Sequence, residues 1–314
     1  MNILLIGPKR IYDVYDRMRK GRRIDWHEEL FREELARHHN VTFWGKGYTA
    51  FYNKKMLLQD IIDMMWPKPD IILWSYSEII VPGFNEVKIP KVCISAGFFE
   101  ANPECSYGRK HEYFFSSHKF DIAFGQVIPT VDYLKKRGIS EKVFLLPAGV
   151  EIKRFRKLDV EKIFDVSAMY ASRKSFYRYR KSMICAIKDL PNITTFTSKV
   201  GWDDYVVKIN QSKICINESI KLGILNNRVN EVMACGTLLI SDSTAPDYSF
   251  LGYEPGKHFV DFDNIDDFVD KINFYLNHPD ERKRIASEGM RFVRERFSMT
   301  KRVEKFIELV EENL

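Results

Sequence analysis

The sequence predicts an α/β protein of two doubly wound parallel-sheet domains in tandem, and three observations predict it. Short apolar runs with strand character alternate with longer amphipathic stretches from the first residue onward, the signature of βα units and a parallel sheet. The alternation is interrupted at Pro147-Ala148-Gly149-Val150 and the charged stretch Glu151–Lys157, and then begins again. A chain of 314 residues suits two domains of about 150 residues each. We therefore expect a first domain over residues 1–150 and a second from residue 151.

In the first half, strands are expected at Asn2–Ile6, Val41–Trp44, Asp70–Trp74, Lys91–Ser95, Asp121–Phe124 and Lys142–Leu146, with helices in the intervals. The clearest helix is Asp25–His38. There Trp26, Leu30, Phe31 and Leu35 fall at helical spacing with Glu and Arg on the other face, and Asn40 stands where a C-cap belongs. In the second half, strands are expected at Asp165–Met169, Ile193–Phe196, Ile214–Asn217, Thr237–Ser241 and His258–Phe262. Helices are expected near Ser175–Asp189, Trp202–Gln211, Asn227–Ala234 and Ile265–Leu276, followed by Pro279–Arg296 and Thr300–Glu312. Two such domains leave a cleft lined by the carboxyl ends of both sheets, where open α/β folds bind their ligands.

Hydrophobic residues make up 45% of the chain and charged residues 29%, and no run of about 18 apolar residues is long enough to span a membrane. The opening Met1–Gly7 reads as a buried strand running into a tight turn, not as a signal peptide, so a cytoplasmic location is expected. Cys93, Cys105, Cys185, Cys215 and Cys235 are scattered without a CxxC pair, which argues against disulfides and zinc. A net charge of +6 favours anionic ligands such as nucleotide phosphates. The absence of a GxxxxGK[ST] loop, an HExxH and a nucleophile elbow argues against an NTPase, a metalloprotease or a serine hydrolase. Gly7-Pro8 is not a GxGxxG turn, which argues against a nicotinamide dehydrogenase.

The second half carries a run of motifs in order. Leu146-Pro147-Ala148-Gly149-Val150 precedes the linker; Arg228-Val-Asn-Glu231 leads into Ala234-Cys-Gly236 and a buried strand; Gly252-Tyr-Glu-Pro-Gly256-Lys257-His258 follows. The chain then reads His278-Pro279-x-x-Arg282-x-x-Ile285-Ala-x-x-Gly289 and Phe297-Ser-x-Thr300-x-Arg302. This series resembles the C-terminal domain of the group 1 glycosyltransferases, most closely their spore-maturation-protein (CgeB-like) branch. The resemblance covers the second half well and the first half in outline. It implies the GT-B fold, two Rossmann-like domains facing a central cleft, with an N-terminal acceptor domain over 1–150 and a C-terminal nucleotide-sugar domain over 151–299. It further implies that the last helix, 300–314, crosses back to the first domain. The larger retaining group often carries a Glu eight residues before the ribose-binding Glu to contact the donor sugar. Here that position is Gly223, with Glu218 nearby as a substitute or as a strand cap.

The chemistry of these residue types supports the same role. A carboxylate near a helix start, such as Glu231, accepts two hydrogen bonds from the vicinal hydroxyls of a ribose, while Arg228, one turn earlier, forks onto a diphosphate. The competing reading makes the two an i,i+3 surface ion pair. Arg173, Arg178 and Arg180 lie in a basic, Tyr-interleaved stretch feeding a helix N-terminus, a setting that suits an anion; the spacing does not choose among them. Lys257 is a further phosphate candidate, and the loop Ser241–Pro246 a candidate part of the sugar pocket. Transfer with inversion needs a general base on the acceptor side, and Glu100, in the segment after the strand Lys91–Ser95, is the best candidate. His27, His111, His118, Asp13 and Asp16 are weaker ones. With no DxD in place for a metal, Arg, Lys and helix dipoles would handle the diphosphate, so neither metal nor cofactor is expected besides a UDP-, GDP- or ADP-sugar as substrate.

The reading is thus sugar transfer from a nucleoside-diphosphate sugar to a hydroxyl acceptor, whether glycan, protein, small molecule or modified DNA. A DNA-modifying glycosyltransferase acting on a hydroxymethylated base is an alternative, motivated by the basic charge and the Arg/Tyr cluster. A non-catalytic nucleotide-sugar-binding protein is another, motivated by Gly223.

Overall fold

The computed structural model describes residues 1–8, 26–50, 52–75, 79–95, 114–115, 118–169, 179–198, 200–219 and 225–314, with only the backbone of 26, 202 and 203. The chain divides into two compact units, Met1–Ala148 with Arg302–Leu314, and Gly149–Lys301.

Unit 1 is built on six parallel strands: β1 (Asn2–Ile6), β2 (Asn40–Trp44), β3 (Ile71–Ser75), β4 (Lys91–Ser95), β5 (Ile122–Gly125) and β6 (Lys142–Leu145). Their order is β2-β1-β3-β4-β5-β6. The central strands are buried along their whole length, which is why they read as continuous apolar runs. Helix α1 (Trp26–His38) buries Phe31 and Leu35 as the stripe requires, but its charged face is not solvated: Glu28, Glu29, Arg32 and Glu34 are buried as well. Asn40 is not a cap. It opens β2, its side-chain amide donating to Asn2 Oδ1 at 3.0 Å. Two helices unplaced by periodicity, α2 (Leu58–Asp63) and α3 (Ile128–Lys136), complete the described elements of the first stretch.

Unit 2 runs β7 (Phe164–Ser167), α4 (Arg180–Asp189), β8 (Thr195–Phe196), α5 (Trp202–Asn210), β9 (Ser212–Asn217), α6 (Arg228–Ala234), β10 (Leu238–Ser241), α7 (Pro246–Phe250), α8 (Ile265–Asn277) and α9 (Pro279–Arg296). Its four parallel strands lie in the order β10-β9-β7-β8. The expected fifth strand, His258–Phe262, does not form. It makes only an isolated parallel bridge, Ile240 with Val260, beside a second isolated bridge between Pro255 and Phe259. Asn264 then caps α8, its side chain accepting from the amides of Asp266 and Asp267. Val150 ties the two ends of the unit together: its amide donates to Phe297 O and its carbonyl accepts from Met299 N.

Two glycines of the motif series have a physical reason. Gly236 ends α6 at φ +68°, the left-handed conformation favoured just past a helix end. Gly289, on the buried face of α9 with Ile285, Ala286 and Val293, lets backbone meet backbone: a Cβ there would stand 2.3 Å from His258 O and 3.0 Å from Met233 Cε. Gly289→Ala is accordingly expected to cost about 1–3 kcal/mol through overpacking, read as a lower urea midpoint.

His258 is expected to give the fold an acid sensitivity. Its Nδ1 accepts the Glu254 amide at 3.0 Å and its ring stacks on Phe292 with centroids 4.0 Å apart. Burial, with help from Lys257, holds its pKa below the usual 6.5. The folded state therefore binds this proton less readily than the unfolded chain, so its contribution to stability is whole above pH 6.5 and lost as pH falls through the lowered folded value. Between pH 7.5 and 5.5 the melting temperature should fall more for the native chain than for His258→Asn, whose Oδ1 preserves the acceptor without titrating.

Candidate functional site

The topology of unit 2 fixes where a ligand site belongs. Strand β7 has β8 on one side and β9 on the other, so the connections leaving β7 and β9 diverge, and the carboxyl ends of these two strands are where an open α/β sheet binds its ligand. The sequence turns polar there. β9 ends at Asn217 and continues into Glu218 and Ser219, β10 ends at Ser241 and continues into Asp242, and all five are buried. Asn217 Nδ2 donates to Ser241 Oγ at 3.1 Å, the Ser219 amide to Asp242 Oδ1 at 2.7 Å, and Thr244 Oγ1 to Asp242 Oδ2 at 3.1 Å. Ser241 Oγ also meets Tyr248 OH at 2.9 Å. Burial raises the Tyr248 phenol, which stays protonated at neutral pH.

Helix α6 begins at this edge. Asn226 fixes its start, donating from Nδ2 to Glu218 O at 2.9 Å while its Oδ1 accepts from Arg228 N at 3.2 Å. Arg228 Nη2 then donates to Met169 O, just past β7, at 2.7 Å, and its Nε donates to Tyr205 OH at 3.3 Å. Tyr205, on α5, donates to Glu231 Oε2 at 2.8 Å. Arg228, Glu231 and Tyr205 are 7%, 0% and 6% exposed. The surface ion pair that spacing alone allowed is thus absent from the surface: the two side chains are buried and joined through a phenol.

Of the basic cluster, Arg180 opens α4 and is buried, and the amide of Tyr179 beside it donates to Glu218 Oε1. Arg173 and Arg178 lie outside the described residues, as do Glu100, Asp13, Asp16, His111 and Gly223. Lys257 is not gathered with Arg228. It pairs with Glu254 at 2.8 Å in the turn before His258, and the Ile240–Val260 bridge sets that turn toward the amino end of β10, opposite the carboxyl edge. His118 is a core histidine, stacked on Phe114, with Nδ1 2.8 Å from Phe114 O and its pKa lowered by burial. His27 is buried at the start of α1.

Sequence reasoning missed two features. Tyr205 sits on α5 with Val206 and Ile209 and reads as one more core aromatic; only tertiary proximity reveals what its hydroxyl touches. In unit 1, the divergence between β1 and β3 is occupied by the fully buried guanidinium of Arg32. It donates to Pro8 O at 2.7 Å, Glu29 Oε1 at 2.8 Å and Ser75 O at 2.5 Å, and Glu29 Oε2 accepts from Tyr48 at 2.6 Å. A Cβ at Gly7 would stand 2.6 Å from Arg32 Nη2, which explains a glycine after β1 without a dinucleotide fingerprint.

Among the described residues, no group of three or more His, Cys, Asp or Glu could hold a metal, and no helix is long and apolar enough to cross a membrane. Residues 174–308 match the family described as Glycosyl transferase-like. No curated protein matches the chain. Among solved structures, Anabaena Alr3699/HepE in complex with UDP-glucose has a TM-score of 0.68 at 13% identity, over 99% of this chain and 100% of that one. The same protein with UDP and glucose gives 0.68 at 12%, covering 99% of each. Sucrose-phosphate synthase from Thermosynechococcus elongatus gives 0.63 at 10%, over 99% of this chain and 98% of that one. At such identities likeness shows the fold, here GT-B, as the motifs implied. The chain therefore has the GT-B fold, and its residues 174–308 are similar to the family described as Glycosyl transferase-like.

Proposed function

We propose that the chain is a metal-independent glycosyltransferase that moves a sugar from a nucleoside-diphosphate sugar to a hydroxyl acceptor. The observation that carries this is the buried Arg228–Tyr205–Glu231 cluster at the divergence of β7 and β9, inside the segment that matches the glycosyl transferase-like family. In this reading Glu231 accepts the ribose hydroxyls, and Arg228, oriented by Met169 O and Tyr205, donates to the diphosphate. Arg173, Arg178 and Arg180 supply further positive charge. Lys257 is left out, because its turn leads to the opposite sheet edge. Glu231 is closed to solvent, so a ribose reaches it only when the carboxyl edge opens around it.

UDP is the first nucleotide to test, since the HepE structures hold UDP and UDP-glucose. On the acceptor side the reading keeps Glu100 as general base: the acceptor oxygen bonds the anomeric carbon, the bond to the donor phosphate breaks, and the hydroxyl proton passes to Glu100. The spore-maturation-protein branch is supported by Arg228-x-x-Glu231 before Ala234-x-Gly236. A thermal-shift screen of UDP, GDP, ADP and their sugars tests the proposal, because a ligand selective for the folded form raises the melting temperature. No shift with any of them, and no release of nucleoside diphosphate across a broad acceptor panel, would refute it.

A further inference from the structure

We propose that Tyr205 is the positioning residue of the nucleotide site and sets its preference for ribose over deoxyribose; this rests on the nucleotide-site reading above. The argument starts from the direction of two hydrogen bonds. An ionised carboxylate only accepts and a guanidinium only donates, so the single phenol proton of Tyr205 goes to Glu231 Oε2 and its oxygen accepts from Arg228 Nε. One hydroxyl therefore orients both side chains assigned to the ligand. It does so from a separate element, α5, that contributes none of the sheet-edge polar residues.

The ring alone does not explain the tyrosine. It packs edge-on to Phe155 with centroids 6.2 Å apart, inside the core that also holds Val206, Ile209 and Val229. Phenylalanine would fill that space equally well. What it would lack is the oxygen between Arg228 and Glu231. Buried carboxylates bond well only when held in register with the partner, so a Glu231 that loses the Tyr205 hydrogen bond would read the 2′-hydroxyl of a ribose less well.

The test is titration calorimetry of the full chain with UDP and with 2′-deoxy-UDP, on the native protein, Tyr205→Phe and Glu231→Ala. The native chain should bind UDP at least tenfold more tightly than 2′-deoxy-UDP, the worth of one charge-assisted hydrogen bond. In Tyr205→Phe the UDP dissociation constant should rise about tenfold and the ratio of the two ligands fall to within about twofold, while the melting transition is kept. With donor sugar, KM should rise and kcat change little, since the clamp acts on ground and transition states alike. Loss of the Tyr205→Phe melting transition would overturn the proposal by making the hydroxyl a determinant of folding. Unchanged affinity and selectivity in Tyr205→Phe would overturn it as well, as would a native chain indifferent to the 2′-hydroxyl; both leave the nucleotide site standing. A native chain that binds no nucleoside diphosphate at all would remove the site and this inference together.

Discussion

Glu231→Ala is expected to weaken UDP binding by on the order of 10²-fold. The carboxylate is assigned two charge-assisted hydrogen bonds to the ribose, together worth about 3 kcal/mol after exchange with water. The side chain is wholly buried and accepts from Tyr205, so its removal also strands a phenol proton and lowers the melting temperature. Glu231→Gln separates the two effects. Its amide oxygen still accepts from Tyr205 in a side chain of the same shape, so the fold is kept while the charge that strengthens the ribose contacts is lost. Titration calorimetry at fixed salt reads both variants. Equal affinities for native, Gln and Ala forms would contradict the assignment.

Phe306→Ala should cost about 3–5 kcal/mol in unit 1. The last helix, α10 (Met299–Glu311), returns to the first unit from Arg302 onward and buries Val303, Phe306, Ile307 and Val310. Phe306 is fully buried, edge-on to Phe31 of α1 at 5.6 Å and tilted against Phe124 of β5 at 5.2 Å. Arg302 lies over the Phe31 ring at 5.3 Å, and Lys142 donates to Asn313 O, so the segment is also held by polar contacts. Truncation leaves a cavity between helix and sheet that these contacts keep from collapsing. Four of the five tryptophans, 26, 44, 66 and 74, belong to unit 1, so fluorescence-monitored urea unfolding weights that unit. A loss under about 1 kcal/mol would mean that the terminal helix is not an integral layer of it.

The strands were legible because a parallel sheet covered on both faces requires unbroken apolar runs. Asn2–Ile6 and Lys91–Ser95 were placed to the residue, as was the helix Pro279–Arg296, bounded by proline at its start. The illegible parts each have a cause. His258–Phe262 has strand composition, but an isolated bridge to β10 is a matter of tertiary geometry. Helix α2 has six residues, too few for a period to emerge. Arg32 falls on the face of α1 that its neighbours mark as polar, yet two backbone carbonyls and a glutamate draw it inside. At the candidate site, spacing and motif single out Arg228 and Glu231 as candidates but not the Tyr205 that joins them, because aromatic residues on a buried helix face carry no mark of what their polar ends touch. Lys257 illustrates the converse: a motif residue at the right place in the text, on a turn that leads to the other edge of the sheet.

The most direct test is a crystal structure of the chain grown with UDP. It should place both ribose hydroxyls within about 3 Å of the Glu231 carboxylate, with the diphosphate against Arg228 at the carboxyl ends of β7 and β9. A ribose bound elsewhere, with Glu231 still sealed beneath Tyr205, would contradict the account.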